Sequence, residues 1–233
     1  MSLNIQENAL FVADSHFNED RVIFFDFLKK LQSQEIETTQ LFLMGDIFDF
    51  ICSQSSYFVN KNAQIISILN ELSKSIQIIY LEGNHDYNLK KLFPNIKVFS
   101  RAEQPIFANL GNKNVALTHG DVFINSSYDM YCNIIRNKPL LSFLNLIDFN
   151  NWLTLKIYNA LSRKKICHKI ENFEELAKKR VANFSSDVVI EGHYHQGYQY
   201  KFDKQEYINI PSLFCSNEYS VAKNGVITNI SFY

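Results

Sequence analysis

Long apolar runs are missing from this sequence. None of its 233 residues belongs to a stretch approaching the ~18 consecutive apolar residues that a membrane-spanning helix needs. Met1 to Leu10 has neither the basic start nor the apolar stretch of a signal peptide. A soluble or peripheral protein of the cytoplasm is expected. A surplus of positive charge is missing too. Lys and Arg number 23 against 24 Asp and Glu, a formal net charge of -1. With no global basic field, a nucleic-acid partner is not expected. Cysteine is scarce: Cys52, Cys132, Cys167 and Cys215 lie far apart and form no Cys-x-x-Cys pair. Free buried thiols in a reducing compartment are expected. There is no internal repeat and no low-complexity segment, and no surface pattern names an assembly interface, so the oligomeric state stays open.

What is present is the composition of a globular protein, 46% hydrophobic and 20% charged. The length suits one well-buried α/β domain over residues 1–233 carrying an insertion. Short apolar runs recur and end in polar clusters. Ala9 to Ala13 leads into Asp14-Ser15-His16, and Leu41 to Met44 into Gly45-Asp46. Ile76 to Leu81 leads into Gly83-Asn84-His85-Asp86, Val115 to Leu117 into His119-Gly120-Asp121, and Val188 to Ile190 into Gly192-His193-Tyr194-His195. Each run is short and stops near a turn residue, as buried strands do. Val22 to Leu31 and Ala63 to Leu72 carry apolar residues at helical spacing. Strand-helix-strand alternation predicts an α/β core with ligands beyond the carboxyl ends of the strands.

After His195 the pattern turns β-rich. Tyr198 to Phe202, Tyr207 to Ile210, Tyr219 to Ala222 and Val226 to Phe232 read as antiparallel strands, with a hairpin turn at Asn224-Gly225. Residues 125–180 interrupt the strand pattern with apolar residues at helical spacing, from Leu140 through Trp152 to Leu161, ending in Arg163-Lys164-Lys165. A helical insertion that could cover the site is expected there.

Five of the six histidines fall in the polar clusters; His168 alone does not and is read as a surface residue. A metal site needs donors converging from separate parts of a chain, and Asp, His and the Asn carbonyl are suitable donors. Asp14, His16, Asp46, Asn84, His119, His193 and His195 are enough for two ions if one carboxylate bridges them. Paired ions about 3.5–4 Å apart can hold a phosphate oxygen and activate water. The mixed oxygen and nitrogen set suits Mn²⁺, Fe or Zn²⁺ better than Mg²⁺ or Ca²⁺. Taken singly, each Asp or His is more simply a cap, a turn residue or a satisfied core group. Asp121 reads equally as a support or a turn former, and Asp20 and Asp49 as structural or solvated.

Asp-x-His, Gly-Asp, Gly-Asn-His-Asp, His-Gly-Asp and Gly-His-x-His, in that order over residues 14–195, resemble the calcineurin-like metallophosphoesterase superfamily. The resemblance implies an α/β/β/α sandwich. It also implies one metal on Asp14, His16 and His195, a second on Asn84, His119 and His193, and Asp46 as the bridge. His85 would stand by the leaving group as general acid or cationic stabiliser, with Asp86 orienting it. Tyr194 stands where the family often has Thr, a position outside the ligand set.

Asp46-Ile47-Phe48-Asp49-Phe50 and His119-Gly120-Asp121-Val122-Phe123 are similar to motifs of the UDP-2,3-diacylglucosamine hydrolases, which also carry a helical lid at this point of the chain. That similarity implies hydrolysis of the substrate's pyrophosphate to lipid X and UMP. Leu144, Ile147, Trp152 and Leu155 would meet acyl chains, and Arg163, Lys164 and Lys165 phosphates or an anionic membrane surface. The simpler reading of the insertion is a hairpin packing its apolar faces together. Two departures stand out: His85 replaces the Arg of Gly-Asn-Arg-Asp, and Ser126-Ser127 lack the carboxylates often found there. They leave open another nucleotide, lipid, phosphodiester or phosphoprotein substrate. A non-catalytic scaffold on the same fold would show eroded ligands.

Overall fold

The computed structural model describes residues 3–163 and 165–233. Among them, strands β1 (Leu3–Asn4), β8 (Ile106–Leu110), β9 (Lys113–Thr118), β10 (Val188–Glu191), β12 (Gln205–Asn209) and β11 (Gln199–Phe202) form one six-stranded sheet in that order. A second six-stranded sheet runs β14 (Val226–Ser231), β13 (Glu218–Lys223), β2 (Leu10–Val12), β3 (Gln40–Leu43), β5 (Gln77–Leu81), β7 (Lys97–Phe99). The short strands β4 (Ile51–Cys52) and β6 (Asp86–Tyr87) pair separately.

Alternation along each strand builds the layers. Phe11, Phe42 and Ile79 point from the second sheet toward Leu117, Val188 and Ile190 of the first. The Phe11 and Phe42 rings stack at 4.6 Å between centroids. The neighbouring Leu10, Val12, Leu41, Leu43, Ile78 and Tyr80 point the other way, onto helices α1 (Ile23–Gln32) and α3 (Ala63–Leu72). In α1 the buried positions are Phe24, Phe27, Leu28 and Leu31, one stripe of a 3.6-residue period. Each such side chain contributes about 1.5–3 kcal/mol on burial. Beyond the first sheet, Phe173, Ala177 and Val181 of helix α7 (Phe173–Val181) pack on Ala116, Val189 and Tyr207. The layers are therefore α/β/β/α, the sandwich implied by the sequence motifs.

The tail differs from a set of consecutive hairpins. The β13–β14 hairpin forms, with Asn224 at φ 53 and Gly225 at φ 72 in its turn. β12, however, pairs parallel with β10 as well as antiparallel with β11. Its apolar face completes the inter-sheet core beside Ile190, which outweighs purely local pairing.

Between β9 and β10 run α4 (Ser126–Ile135), α5 (Lys138–Ile147), α6 (Trp152–Ser162) and α7. The Asn137 side chain caps α5 by accepting from Leu140 N, and the Asp148 carboxylate accepts from Leu153 N and Thr154 N at the start of α6. The apolar residues of α5, α6 and the turn between them are not consumed by mutual packing: Leu146 is 82% exposed, Phe149 83% and Trp152 62%. Helix α7, although inside the 125–180 stretch, belongs to the outer layer described above.

The cysteine expectation needs correction. Cys167 and Cys215 form a disulfide across 48 residues, with Cα atoms 5.4 Å apart, because the fold returns the loop after α6 onto helix α8 (Leu213–Ser216). Cys52 and Cys132 are buried free thiols.

Candidate metal centre

The five polar clusters emerge from the carboxyl ends of β2, β3, β5, β9 and β10, three from one sheet and two from the other. All five are interior strands of their sheets, and the clusters meet at their carboxyl ends. The backbone there is unusual: Asp14, His16, Asp46, His193 and His195 all have positive φ, between 43 and 66°. Left-handed conformations in non-glycine residues are costly and concentrate at functional sites. Gly45, at φ 90, is required by space as well, since a Cβ there would lie 2.4 Å from His119 Nδ1. A Cβ on Gly83 would lie 2.2 Å from Asp46 Oδ1.

The donors gather in two groups. In the first, His195 Nε2 lies 3.3 Å from Asp14 Oδ1 and 3.4 Å from His16 Nε2. In the second, His119 Nε2 lies 3.2 Å from Asn84 Oδ1, 3.2 Å from His193 Nδ1 and 3.6 Å from Asp46 Oδ2. Asp46 also groups with His16 and His85, so its carboxylate stands between the two sets.

Asp14, Asp46, His119 and His195 are oriented from behind. Asp14 Oδ2 accepts from His193 N at 2.8 Å, leaving Oδ1 buried without a hydrogen bond. Asp46 Oδ1 accepts from His85 N at 2.8 Å, leaving Oδ2 toward His119. The Nδ1 atoms of His119 and His195 face the carbonyls of Met44 at 2.8 Å and Ile166 at 3.0 Å. A carbonyl only accepts, so both Nδ1 atoms carry a proton and both Nε2 atoms turn inward, each able to bind a cation once its ring is neutral. The ring of His85 is fixed the same way, by the Asp49 carbonyl at 2.7 Å.

The donor chemistry fits divalent cations. Nitrogen and oxygen donors to metal face each other at 3.2–3.4 Å in a buried space, and the carboxylate oxygen Asp14 Oδ1 is buried without a hydrogen bond. Unpaired acceptors in such a place are costly, and a cation satisfies them. Burial, assisted by His85 and His195, lowers His16 to about 3, and burial with His119 lowers His193 to about 4, so both rings are neutral and able to coordinate. Burial opposes ionisation of Asp46, but His119, His85 and His16 outweigh it and hold the carboxyl below its ordinary range. Burial would lower His119 as well; Asp46, Asp121 and Asp14 override it and raise the ring to about 9.

Asp86 does not reach the His85 ring. It is buried and accepts from Asp46 N and Gly83 N through Oδ1, and from Ile47 N and Tyr80 Oη through Oδ2. The expected orienting role falls instead to the Asp49 carbonyl, and Asp86 clamps the Asp46 loop to the Gly83 turn. Asp49, far from solvated, is held by Arg21 Nη1 at 2.7 Å. Arg21 Nη2 in turn donates to Ser162 O at the end of α6. Asp121 is buried between Arg101 and Arg136, and Arg136 also donates to Gly83 O. Ser212 Oγ supports Asp14 O, Gln104 Oε1 accepts from His119 N, and Asn209 Nδ2 holds the Glu191 and Gly192 carbonyls before His193. Ser212, Gln104 and Asn209 follow no motif; they would be found only by knowing which elements adjoin. Trp152, Arg163 and Lys165 are exposed on or just after α6, with Lys156 Nζ 3.9 Å from the Trp152 ring centre. Lys164 lies outside the described residues.

Residues 8–197 match the model of the calcineurin-like phosphoesterase family. The chain belongs to that family. Its members are hydrolases, and the family implies divalent metal ions at a donor set of the kind described. Two curated relatives carry the name UDP-2,3-diacylglucosamine hydrolase. That of Histophilus somni (strain 129Pt) is 25% identical over 201 residues, covering 82% of this chain and 85% of the relative. That of Proteus mirabilis (strain HI4320) is 24% identical over 198 residues, covering 81% and 82%. Among solved structures, the Yfce phosphoesterase of E. coli aligns with a TM-score of 0.50 at 15% identity, covering 96% of this chain and 92% of that one. This likeness concerns the fold.

Proposed function

We propose that this phosphoesterase cleaves the pyrophosphate of UDP-2,3-diacylglucosamine, releasing lipid X and UMP. The observation that carries the reading is the tie between the exposed apolar helices and the site. Ser162 at the end of α6 meets Arg21, which holds Asp49 behind His85. Ile166, four residues on, meets His195. A substrate with acyl chains on α5 and α6 would thus have its phosphates near His85. The names and coverage of the relatives support the same substrate.

In this reading Asp14, His16 and His195 would hold one ion, Asn84, His119 and His193 would hold a second, and Asp46, placed between the two groups, would serve both. Two divalent ions there, Mn²⁺ first among the choices, would supply Lewis acidity toward a phosphoryl oxygen and an attacking water. Asp14 and Asp46 fix the positions of the donors through their backbone acceptor bonds. His85, with Nδ1 committed to Asp49, offers Nε2 to the leaving oxygen. Trp152 and the apolar residues around it cover acyl chains, and Arg163, Lys164 and Lys165 meet the phosphates. The same apolar and basic surface would rest the protein on an anionic bilayer at the cytoplasmic side. Among the described residues no helix is long and apolar enough to cross one.

The test is turnover of UDP-2,3-diacylglucosamine with Mn²⁺, beside bis-p-nitrophenyl phosphate, for the parent and a Leu146→Ser/Phe149→Ser/Trp152→Ser variant. The reading expects UMP release by the parent and a loss of at least tenfold with the acylated substrate alone in the variant. Equal turnover of the acylated substrate by both proteins, or hydrolysis of only the generic diester, contradicts it. Co-sedimentation with anionic vesicles at low salt tests the membrane contact, and its absence discards that part.

A further inference from the structure

The disulfide lies against the back of one proposed metal donor. Nδ1 of His195 meets the Ile166 carbonyl at 3.0 Å and the Cys215 sulfur at 3.7 Å. Ile166 is the residue before Cys167, so the two groups behind the ring come from the two sides of the Cys167–Cys215 bond. The loop carrying Ile166 has no regular secondary structure. Two further ties go to the next residue, as Ile170 N donates to Gln196 Oε1 at 3.0 Å and Gln196 Nε2 donates to His168 O at 3.0 Å, and the Ile170 side chain packs on the core beside Phe173. The far anchor, α8, is firm, because Leu213 N donates to Ala13 O and Ser212 Oγ to Asp14 O beside the first donor group. Cys167 is exposed and Cys215 partly so, whereas Cys52 and Cys132 are 1% exposed. Exposed disulfides are the ones that small reductants reach.

We propose that the Cys167–Cys215 disulfide is a redox-sensitive clamp that positions His195. This rests on the reading of Asp14, His16 and His195 as one metal site. With the bond intact, the Ile166 carbonyl holds the Nδ1 proton and keeps Nε2 turned to Asp14 and His16. A dithiol reductant attacks one sulfur and breaks the S–S bond. A second attack within the mixed disulfide leaves Cys167 and Cys215 as thiols and the reductant as its own disulfide. The loop then keeps its ties to Gln196 and the packing of Ile170, but the end carrying Ile166 loses its covalent anchor, the Ile166 carbonyl withdraws, and His195 is free to rotate out of the donor set. Loss of a group that orients a metal-binding histidine lowers metal affinity about 10–100-fold.

The experiment is Mn²⁺ binding followed by the electron paramagnetic resonance of the free ion. The samples are oxidised protein, the same protein reduced by a trialkylphosphine (which becomes the phosphine oxide, taking its oxygen from water) and reoxidised, and the Cys167→Ser/Cys215→Ser variant. The clamp expects two ions in the oxidised form. It expects one of them weakened about 10–100-fold on reduction and in the variant, with recovery on reoxidation. It also expects faster trypsin cleavage after Arg163 or Lys165 in the reduced form, while circular dichroism stays unchanged. Two ions bound with equal affinity in every state would overturn the clamp and leave the metal-site reading intact. No ion bound even in the oxidised form would overturn both. Free thiols at both positions in aerobically purified protein that binds two ions would also overturn the clamp.

Discussion

The Nδ1 atom of His85 sits 2.7 Å from the carbonyl oxygen of Asp49, while the carboxylate of the same Asp49 is gripped by Arg21 at 2.7 Å. The Asp49 carbonyl thereby holds Nδ1–H and fixes the ring's orientation, with Nε2 left as the nitrogen that faces the site. If the doubly protonated His85 ring gives its Nε2 proton to the leaving oxygen, His85→Gln lowers kcat by about 10²–10⁴. Metal content is expected to remain that of the parent. Steady-state kinetics with metal analysis on the same sample checks this; an unchanged kcat would remove His85 from the reaction.

The charge of His119 sets a pH dependence. Its ordinary value of 6.5 is raised to about 9, with Asp46 the first of the groups overcoming burial. The folded, chelator-treated protein therefore holds a proton that the unfolded chain releases between pH 6.5 and 9. Stability from this group is complete below pH 6.5 and is lost as pH rises through 9, an effect of order 3 kcal/mol at ~1.36 kcal/mol per unit. His195 is raised as well and acts in the same direction. Urea midpoints of chelator-treated protein should fall from pH 6.5 to 9, and His119→Gln should flatten the fall. Added Mn²⁺ should stabilise more at pH 9 than at pH 6.5, because the ion takes the neutral ring. A midpoint that rises over this interval would contradict the assignment.

Gly45 offers a sharper steric test. A methyl group there meets His119 Nδ1 at 2.4 Å on a backbone at φ 90. Gly45→Ala should displace His119 from the Met44 carbonyl and cost more than 10-fold in affinity for the second metal. Gly111→Ala is the comparison: φ 59 is strained there too, but nothing lies within 4 Å of the added carbon. Calorimetric metal titration of both variants should show a loss in the first and parent affinity in the second.

The donor set was legible because its chemistry is local. Asp14 and His16, or His193 and His195, sit two residues apart, and each pair follows a short apolar strand. The supports behind the donors were not legible for the opposite reason. The carbonyls of Met44, Asp49 and Ile166 carry no residue identity, so nothing in the sequence marks them as partners of His119, His85 and His195. Arg21, Gln104, Asn209 and Ser212 look like ordinary polar residues until β2, β9 and β12 are placed. The same holds for the Cys167–Cys215 bond, whose halves are 48 residues apart, and for β12, whose parallel place beside β10 depends on a long-range apolar face. The helices α5 and α6 were legible as helices, but the exposure of Leu146 and Trp152 was not, because it depends on which other elements pack over them.

The most direct test of the central claim is bis-p-nitrophenyl phosphate hydrolysis by chelator-treated protein titrated with Mn²⁺, run beside an Asp46→Ala variant. Activity should be absent without metal and rise to its plateau at two equivalents per chain. It should stay near background in Asp46→Ala at every concentration, because the carboxylate between the two donor groups is gone. Hydrolysis that needs no metal, or that survives in Asp46→Ala at the parent's rate, would contradict the account.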